Sequence, residues 1–310
     1  MATASLSSCP ACGALAELAD NFCEACGRAL ADRSGASPSA RNHIQVDLGA
    51  VAGVTDRGHQ HDRNEDAIAL ALAETPVGLA SLAVVCDGVS TSTRPDEASQ
   101  IAAETALSVL AEALQAGIAI ENALLTAALS ADAAVRDLDE GSVNAPATTF
   151  MAGVATAVAV SVCWVGDSRA YWLPTDDALA AQLLTRDDSL AEELAAAGAL
   201  TEAEALTSPH AHVLTRWLGA DADPIDPHVA VMQPPSPGIL LLCSDGLWNY
   251  EPAAEGLRRL AGATPFPDLA DAADALVAFA LEAGGHDNVT VALSAVPPLH
   301  TDTPDHEDTT

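Results

Sequence analysis

Three apolar runs in this chain lead into an aspartate, and two more begin just beyond one. ASLAVVC (80–86) leads into Asp87-Gly88, AVSVCWV (159–165) into Gly166-Asp167-Ser168-Arg169, and GILLLCS (238–244) into Asp245-Gly246. Gly285-His286-Asp287-Asn288 precedes VTVAL (289–293), and Asn64-Glu65-Asp66 precedes AIALALA (67–73). One Asp-Gly at a strand end is an ordinary turn. Acidic groups at five strand boundaries constrain the fold further: if those ends converge, their carboxylates repel one another unless hard cations neutralise them. An all-oxygen donor set suits Mg²⁺ or Mn²⁺ rather than zinc. Glycine after aspartate lets a backbone carbonyl approach such an ion closely.

The charge balance agrees with a cation site. Asp+Glu is 44 against Lys+Arg 12, a formal net charge of -32, and every basic residue is an arginine. An acidic surface is a poor match to nucleic-acid or lipid phosphates, so neither nucleic acid nor membrane is an expected partner. The missing lysine excludes Schiff-base chemistry and a lysine-bearing phosphate loop. Hydrophobic residues make up 49% of the chain, enough for a sizeable core, but aromatics only 3%, so alanine, valine and leucine must fill it. The start MATASLSSCP has neither the basic residues nor the apolar stretch of a secretory signal. The longest apolar run, 151–166, is broken by glycine, Thr156 and Ser161, and reads as two adjoining strands. A cytoplasmic protein is expected, its cysteines reduced.

The first thirty residues stand apart. Cys9-Pro10-Ala11-Cys12 and Cys23-Glu24-Ala25-Cys26 form CxxC pairs separated by ten residues, each followed by glycine. No thioredoxin-like strand pattern surrounds them, which argues against redox pairs. Four thiolates would close a tetrahedral, structural Zn²⁺ site that supplies the folding energy of a segment too short for its own core. The segment resembles the small zinc ribbons at the ends of many bacterial proteins, and with few arginines nearby it suits docking to protein. Residues 1–30 are thus expected to be a zinc ribbon, 31–43 a flexible linker, 44–296 the main domain and 297–310 a disordered tail. Within the main domain, strands are predicted at 80–86, 158–165, 239–243 and 289–293. Helices are predicted from Asp96 to Gly117, over 119–138 and over 267–282. Cys86, Cys163 and Cys243 read as core packing.

The ordered series TDRGHQHDRNEDA, CDGVS, ATTF, VGDSRAYWL, LTRDDSLAEELAAAG, HVLTRWLG, LLCSDGL and GGHDNVTV, spanning about 46–296, resembles the metal-dependent serine/threonine protein phosphatases (PPM, or type 2C) of bacteria. The resemblance implies an α+β fold, a four-layer α-β-β-α sandwich of two antiparallel sheets. It also implies hydrolysis of phosphoserine and phosphothreonine on proteins by a metal-activated water, opposing a bacterial Ser/Thr kinase. By motif, Asp87 bridges two Mn²⁺ or Mg²⁺ ions, with the Gly88 carbonyl on the second. Asp245 and Asp287 complete the first shell, Glu65 and Asp66 hold metal-bound waters, and Asp167 takes a third ion. Asn288 orients Asp287. Phosphorylated proteins, and a Ser/Thr kinase or its substrates, are the partners implied.

Two positions depart from the family pattern. His61 stands where an arginine commonly grips phosphate, which leaves His61, Arg57 and Arg63 as candidate phosphate ligands; histidine lacks the bidentate fork of arginine. Val89 follows Gly88 where some members carry histidine, and a hydroxyl-rich loop, Ser90 to Thr93, follows it. These departures keep open a second reading, a weak or inactive phosphatase-like domain that binds phosphoproteins as a regulator. Residues 188–212 correspond to the family's mobile flap, and His210 and His212 there read as surface residues.

Overall fold

The run GILLLC at 238–243 is apolar at every position because both of its faces are buried. Ile239, Leu241 and Cys243 enter one core, and Leu240 and Leu242 enter another. The same period of two sorts Leu82, Val84 and Cys86 from Ala83 and Val85, and Cys163 and Val165 from Val162 and Trp164. A sheet covered by helices on one side and by a second sheet on the other requires this pattern.

The computed structural model describes residues 6–8, 15–17, 42–76, 78–206, 208–262 and 268–296, and the chain divides between Asn42 and His43 into two units. In the first, β1 (Leu6–Ser8) pairs antiparallel with β2 (Leu15–Glu17). Cys9, Cys12, Cys23 and Cys26, most of the expected linker and the expected tail lie outside the described residues. The second unit opens with β3 (His43–Asp47), β4 (Val51–Asp56), β5 (Asp66–Thr75), β6 (Gly78–Asp87), α1 (Pro95–Gln115) and α2 (Ile120–Arg136). It continues through β7 (Ala147–Thr148), β8 (Phe150–Ala155), β9 (Val160–Val165), β10 (Arg169–Pro174), β11 (Gln182–Leu183), α3 (Leu190–Ala196) and α4 (Glu202–Leu206). It ends with β12 (Leu218–Gly219), β13 (His228–Met232), β14 (Gly238–Cys243), α5 (Asp245–Trp248), α6 (Ala254–Leu260), α7 (Leu269–Glu282) and β15 (Val289–Val296).

Two antiparallel sheets form, ordered β11-β10-β14-β15-β4-β3 and β13-β9-β8-β6-β5. Helices α1 and α2 cover the five-stranded sheet, and α5 to α7 cover the six-stranded one. Between the sheets lies a third core, with Met151, Trp164 and Trp172 among its largest members. This is the four-layer arrangement the motifs implied. Alanine dominates the α1 and α2 contact, at Ala98, Ala102, Ala106, Ala123, Ala127 and Ala131, as the low aromatic content required. Pro95 opens α1 with Asp96 and Glu97 in its first turn, and Asp268 caps α7 by accepting from the amides of Ala270 and Asp271. These are ordinary helix-start chemistries.

Several strands of the second unit have no counterpart in the sequence reading: the short β3, β7, β11 and β12, β4, interrupted by Gly53, and β10 and β13, which lack a long apolar run. The linker also ends one residue earlier than expected, because His43 belongs to β3, where its Nδ1 lies 2.8 Å from Asp56 Oδ2. Residues 151–166 are the two strands β8 and β9, and among the described residues no helix is long and apolar enough to cross a membrane.

Candidate active site

Antiparallel pairing within each sheet, and the stacking of the two sheets, bring the acidic positions together. Asp66 starts β5 and Asp87 ends β6, directly opposite each other in the register. Asp167 follows the end of β9, Asp245 follows the end of β14, and Asp287 precedes the start of β15. All five therefore lie at the same end of the two sheets.

The side chains respond to that crowding. Asp87 is held well above the usual carboxylate range, first by burial and then by the charges of Asp66, Asp245, Asp287 and Asp167. Asp167 is pushed up by burial and by Asp245 and Asp187. Asp287 is raised by burial and by Asp245. Asp66 rises to about 7 because burial outweighs the hydrogen bonds it accepts, with Asp287 and Asp245 adding to the shift. Those hydrogen bonds come from Thr290 Oγ1 (2.6 Å) and Ser244 Oγ (2.8 Å), and both fall on Asp66 Oδ2. Asp66 Oδ1 and Asp245 Oδ1 are buried with no partner. An orphaned buried carboxylate oxygen is costly, so two of them beside mutually repelling carboxylates fit a hard divalent cation. The fit is one of donor chemistry: among the described residues, no three His, Cys, Asp or Glu side chains stand together as a finished shell.

Backbone close to the cluster leaves no room for side chains. A Cβ on Gly88 would meet the Pro95 carbonyl at 2.5 Å and the Glu65 carbonyl at 2.7 Å, while the Gly88 amide donates to the Glu65 carbonyl. A Cβ on Gly246 would meet the Asn288 carbonyl at 1.9 Å, so the Asp245 turn and the Asp287 loop touch through main chain. Gly246→Ala is therefore expected to destabilise the protein by about 1–3 kcal/mol, the usual range for overpacking, read as a lower urea midpoint. An unchanged midpoint would show that this contact is not rigid.

Asn288 does more than orient its neighbour. Its amide donates to Asp287 Oδ1 (2.8 Å), and its Oδ1 accepts from the Glu65 amide (2.7 Å). Its Nδ2 donates to the carbonyls of Arg57 (2.7 Å) and Arg63 (3.2 Å). One buried side chain thus fastens the whole 57–65 loop to the start of β15. Glu65 is held by Arg63 Nε (3.1 Å) and by Ser90 Oγ (2.6 Å) from the hydroxyl-rich loop. Of the candidate phosphate ligands, His61 Nε2 lies 3.1 Å from Asp287 Oδ1, and Arg63 reaches Glu65 and Asp96. Arg57 instead donates to the His61 carbonyl (2.8 Å) and braces the loop.

Sequence reasoning missed Ser244 and Thr290, which bind Asp66 across the joint between the sheets. It also missed the reach of His212. That residue is exposed, as expected, yet its Nδ1 is 3.6 Å from Asp245 Oδ2 and its ring stacks on Trp248. Asp245 pushes the His212 imidazole above its ordinary value. Beside the cluster, Arg169 makes a buried two-pronged ion pair with Asp187 and lies over the Trp248 ring, 3.7 Å from its centre. The Trp248 indole donates to the Asp167 carbonyl (3.0 Å) and fixes that turn.

A family model for protein phosphatase 2C matches residues 55–279. The serine/threonine phosphatase stp of Listeria innocua is 36% identical over 155 residues, 50% of this chain and 58% of that protein. The chain thus spans little more than half the length of that curated relative. Among solved structures, the PPM Ser-Thr phosphatase MsPP of Mycobacterium smegmatis, in complex with cacodylate, is 30% identical. Its TM-score is 0.61, with 80% of this chain and 99% of that chain covered. The catalytic domain of the phosphatase PstP, in complex with two manganese ions, is 25% identical with a TM-score of 0.62, covering 79% of this chain and 97% of that one.

Proposed function

The chain belongs to the protein phosphatase 2C family, and from that premise we propose that it hydrolyses phosphoserine and phosphothreonine on proteins with Mn²⁺ or Mg²⁺ held at the aspartate cluster. The observation that carries the reading is Asp87, a recessed carboxylate pressed by four others and flanked by orphaned oxygens of Asp66 and Asp245. Asp87, the Gly88 carbonyl, Asp245 and Asp287 would hold two ions, Glu65 and Asp66 would act through water, and Asp167 would serve a third. Bound there, the ions supply a water acidified toward hydroxide near neutral pH and positive charge for the phosphoryl oxygens.

The chain's own residues prepare that chemistry. Ser244 and Thr290 fix Asp66 through one oxygen and leave the other buried without a partner, available to an ion. Asn288 sets the position of the Glu65 backbone, and Arg63 and Ser90 orient its carboxylate. His61 and Arg63, each against a carboxylate of the site, would place an imidazole and a guanidinium where a phosphate dianion would arrive. No protein nucleophile is required, and the thiols of Cys86, Cys163 and Cys243 are buried, unpaired and held protonated by that burial. Unpaired thiols support a cytoplasmic setting. We assign residues 43–296 as the catalytic domain, residues 1–30 as a Zn²⁺ ribbon that docks the enzyme to protein, 31–42 as a linker and 297–310 as a tail. A Ser/Thr kinase or its phosphorylated substrates would be the partners.

Turnover of a phosphothreonine peptide against a metal series tests the assignment. Phosphate release is expected with Mn²⁺ or Mg²⁺ and is expected to fall to background with EDTA. Calorimetric binding of the peptide with Mn²⁺ present but no turnover would replace this reading with that of a phosphoprotein-binding regulator.

A further inference from the structure

A cleft of about 310 Å³ opens beside the aspartate cluster, and the site already described does not use it. One wall is Val89, Ser92, Asn144 and Ala147; the other includes Leu214 and Trp217. Its inner end adjoins the cluster twice. Val89 directly follows Gly88, and His212, also lining the cleft, faces Asp245 at 3.6 Å.

Both walls are held in place. The Val89 amide donates to the Ala147 carbonyl (3.0 Å), the Ala147 amide to Ser92 Oγ (3.3 Å), and Asn144 Nδ2 to the Thr91 carbonyl (3.1 Å). On the far wall the Trp217 indole donates to Asp221 Oδ1 (3.0 Å), which orients the ring. A pre-formed wall does not have to be ordered when a ligand enters. Val89, Leu214 and Trp217 are only partly buried, so their apolar surface is available inside the cleft.

The charge of the lining narrows the occupant. His212 is the one lining residue able to carry positive charge, and Asp245 already faces it. Asp221 adds a carboxylate, and the chain as a whole carries -32. An acidic side chain would be desolvated there against like charge, whereas a large apolar one would cover Val89, Leu214 and Trp217. The volume is near the lower end of small-ligand pockets, roughly 300 Å³, and suits one large side chain.

We infer that this cleft receives the residue next to the phosphorylated serine or threonine and selects a large apolar side chain, such as leucine, over an acidic one. The inference rests on the phosphatase reading of the adjoining cluster. A phosphorylated side chain at the cluster would bring its flanking residue to the mouth of the cleft, because Val89 directly follows Gly88 and His212 faces Asp245.

The test uses the full chain with Mn²⁺ and phosphothreonine peptides that are identical except for leucine or aspartate immediately before or after the phosphothreonine. The wild-type protein is expected to show kcat/KM about tenfold or more in favour of leucine at one flank, the scale of discrimination an apolar pocket gives. Trp217→Ala and, independently, Leu214→Ala should bring that ratio to within about threefold of unity. If Trp217→Ala fails to fold, Leu214→Ala interrogates the same wall. Equal kcat/KM for leucine and aspartate at both flanks overturns the inference, as does a preference that survives the variants. Para-nitrophenyl phosphate, run with the wild-type protein alongside, separates the two levels. Its hydrolysis without peptide discrimination removes the cleft inference alone, whereas no hydrolysis of any substrate removes the phosphatase reading and this inference with it.

Discussion

Asp87→Asn is expected to lower kcat/KM toward a phosphothreonine peptide by on the order of 10³-fold while making the metal-free protein more stable. The two effects share one cause. Asp87 is the carboxylate on which Asp66, Asp245, Asp287 and Asp167 all press, so an amide of the same shape removes a group the folded chain holds against repulsion. The same amide cannot offer a charged oxygen to a divalent cation, and loss of electrostatic stabilisation at a reacting centre of this kind commonly costs 10²–10³ or more, roughly. In EDTA at about pH 8, where carboxylates ionise most readily, the gain should be about 1 kcal/mol, or roughly 2–4 °C in Tm for a domain of this size. Calorimetry and a Mn²⁺-dependent assay read both. Equal turnover by the variant and the wild type would sink the mechanism; a large loss of stability would show that Asp87 is a structural acceptor instead.

The second large effect is on pH dependence. Asp66 moves from 3.8 to about 7 in the folded chain, and Asp87, Asp167 and Asp287 move in the same direction. A group whose folded pKa lies above its unfolded value binds protons more tightly when folded. Its contribution to stability is complete below the unfolded pKa and is lost as pH rises through the folded one. The metal-free protein should therefore weaken between about pH 4 and pH 8, by on the order of a few kcal/mol from Asp66 alone. His212, also raised, acts in the same sense over the upper part of that window. Urea unfolding in EDTA at pH 5 and pH 8 measures this, with the lower midpoint expected at pH 8. Added Mn²⁺ should restore much of the loss at pH 8, because a ligand of the native state stabilises by mass action. A midpoint that rises with pH would mean that the aspartates are not gathered as described.

Much of this was legible in the sequence because it depends on local rules. Asp87, Asp167 and Asp245 end or follow strands and Asp287 precedes one, so antiparallel pairing gathers them at one end of each sheet, while the stacking of the sheets decides that those ends meet. The apolar runs of β6, β9 and β14 were equally plain, since burial on both faces removes the polar alternation. What stayed hidden depends on long-range contact. Ser244 and Thr290 look like incidental hydroxyls in apolar strands until the second sheet brings Asp66 against them. Asn288 was legible as a partner of Asp287, but its hold on the Arg57 and Arg63 carbonyls needs the loop to close over it. His212 reads as a surface histidine because nothing near it in sequence announces Asp245.

The position of β15 bears on how the protein is made. It is the last described strand, yet it lies inside its sheet between β14 and β4, and β4 is among the first strands of its unit to be synthesised. Until β15 leaves the ribosome, β4 and β14 each present an unpaired edge, and Asp287, Asn288 and Thr290 do not yet exist. Pairing across so long a stretch of chain is slow and leaves edges exposed meanwhile. A nascent chain therefore lacks Asp287 and its brace Asn288 until almost the whole domain has been made. A chain cut short before residue 287 would leave β4 and β14 as exposed edges and the aspartate cluster incomplete, so the proposed site can assemble only once β15 has been made.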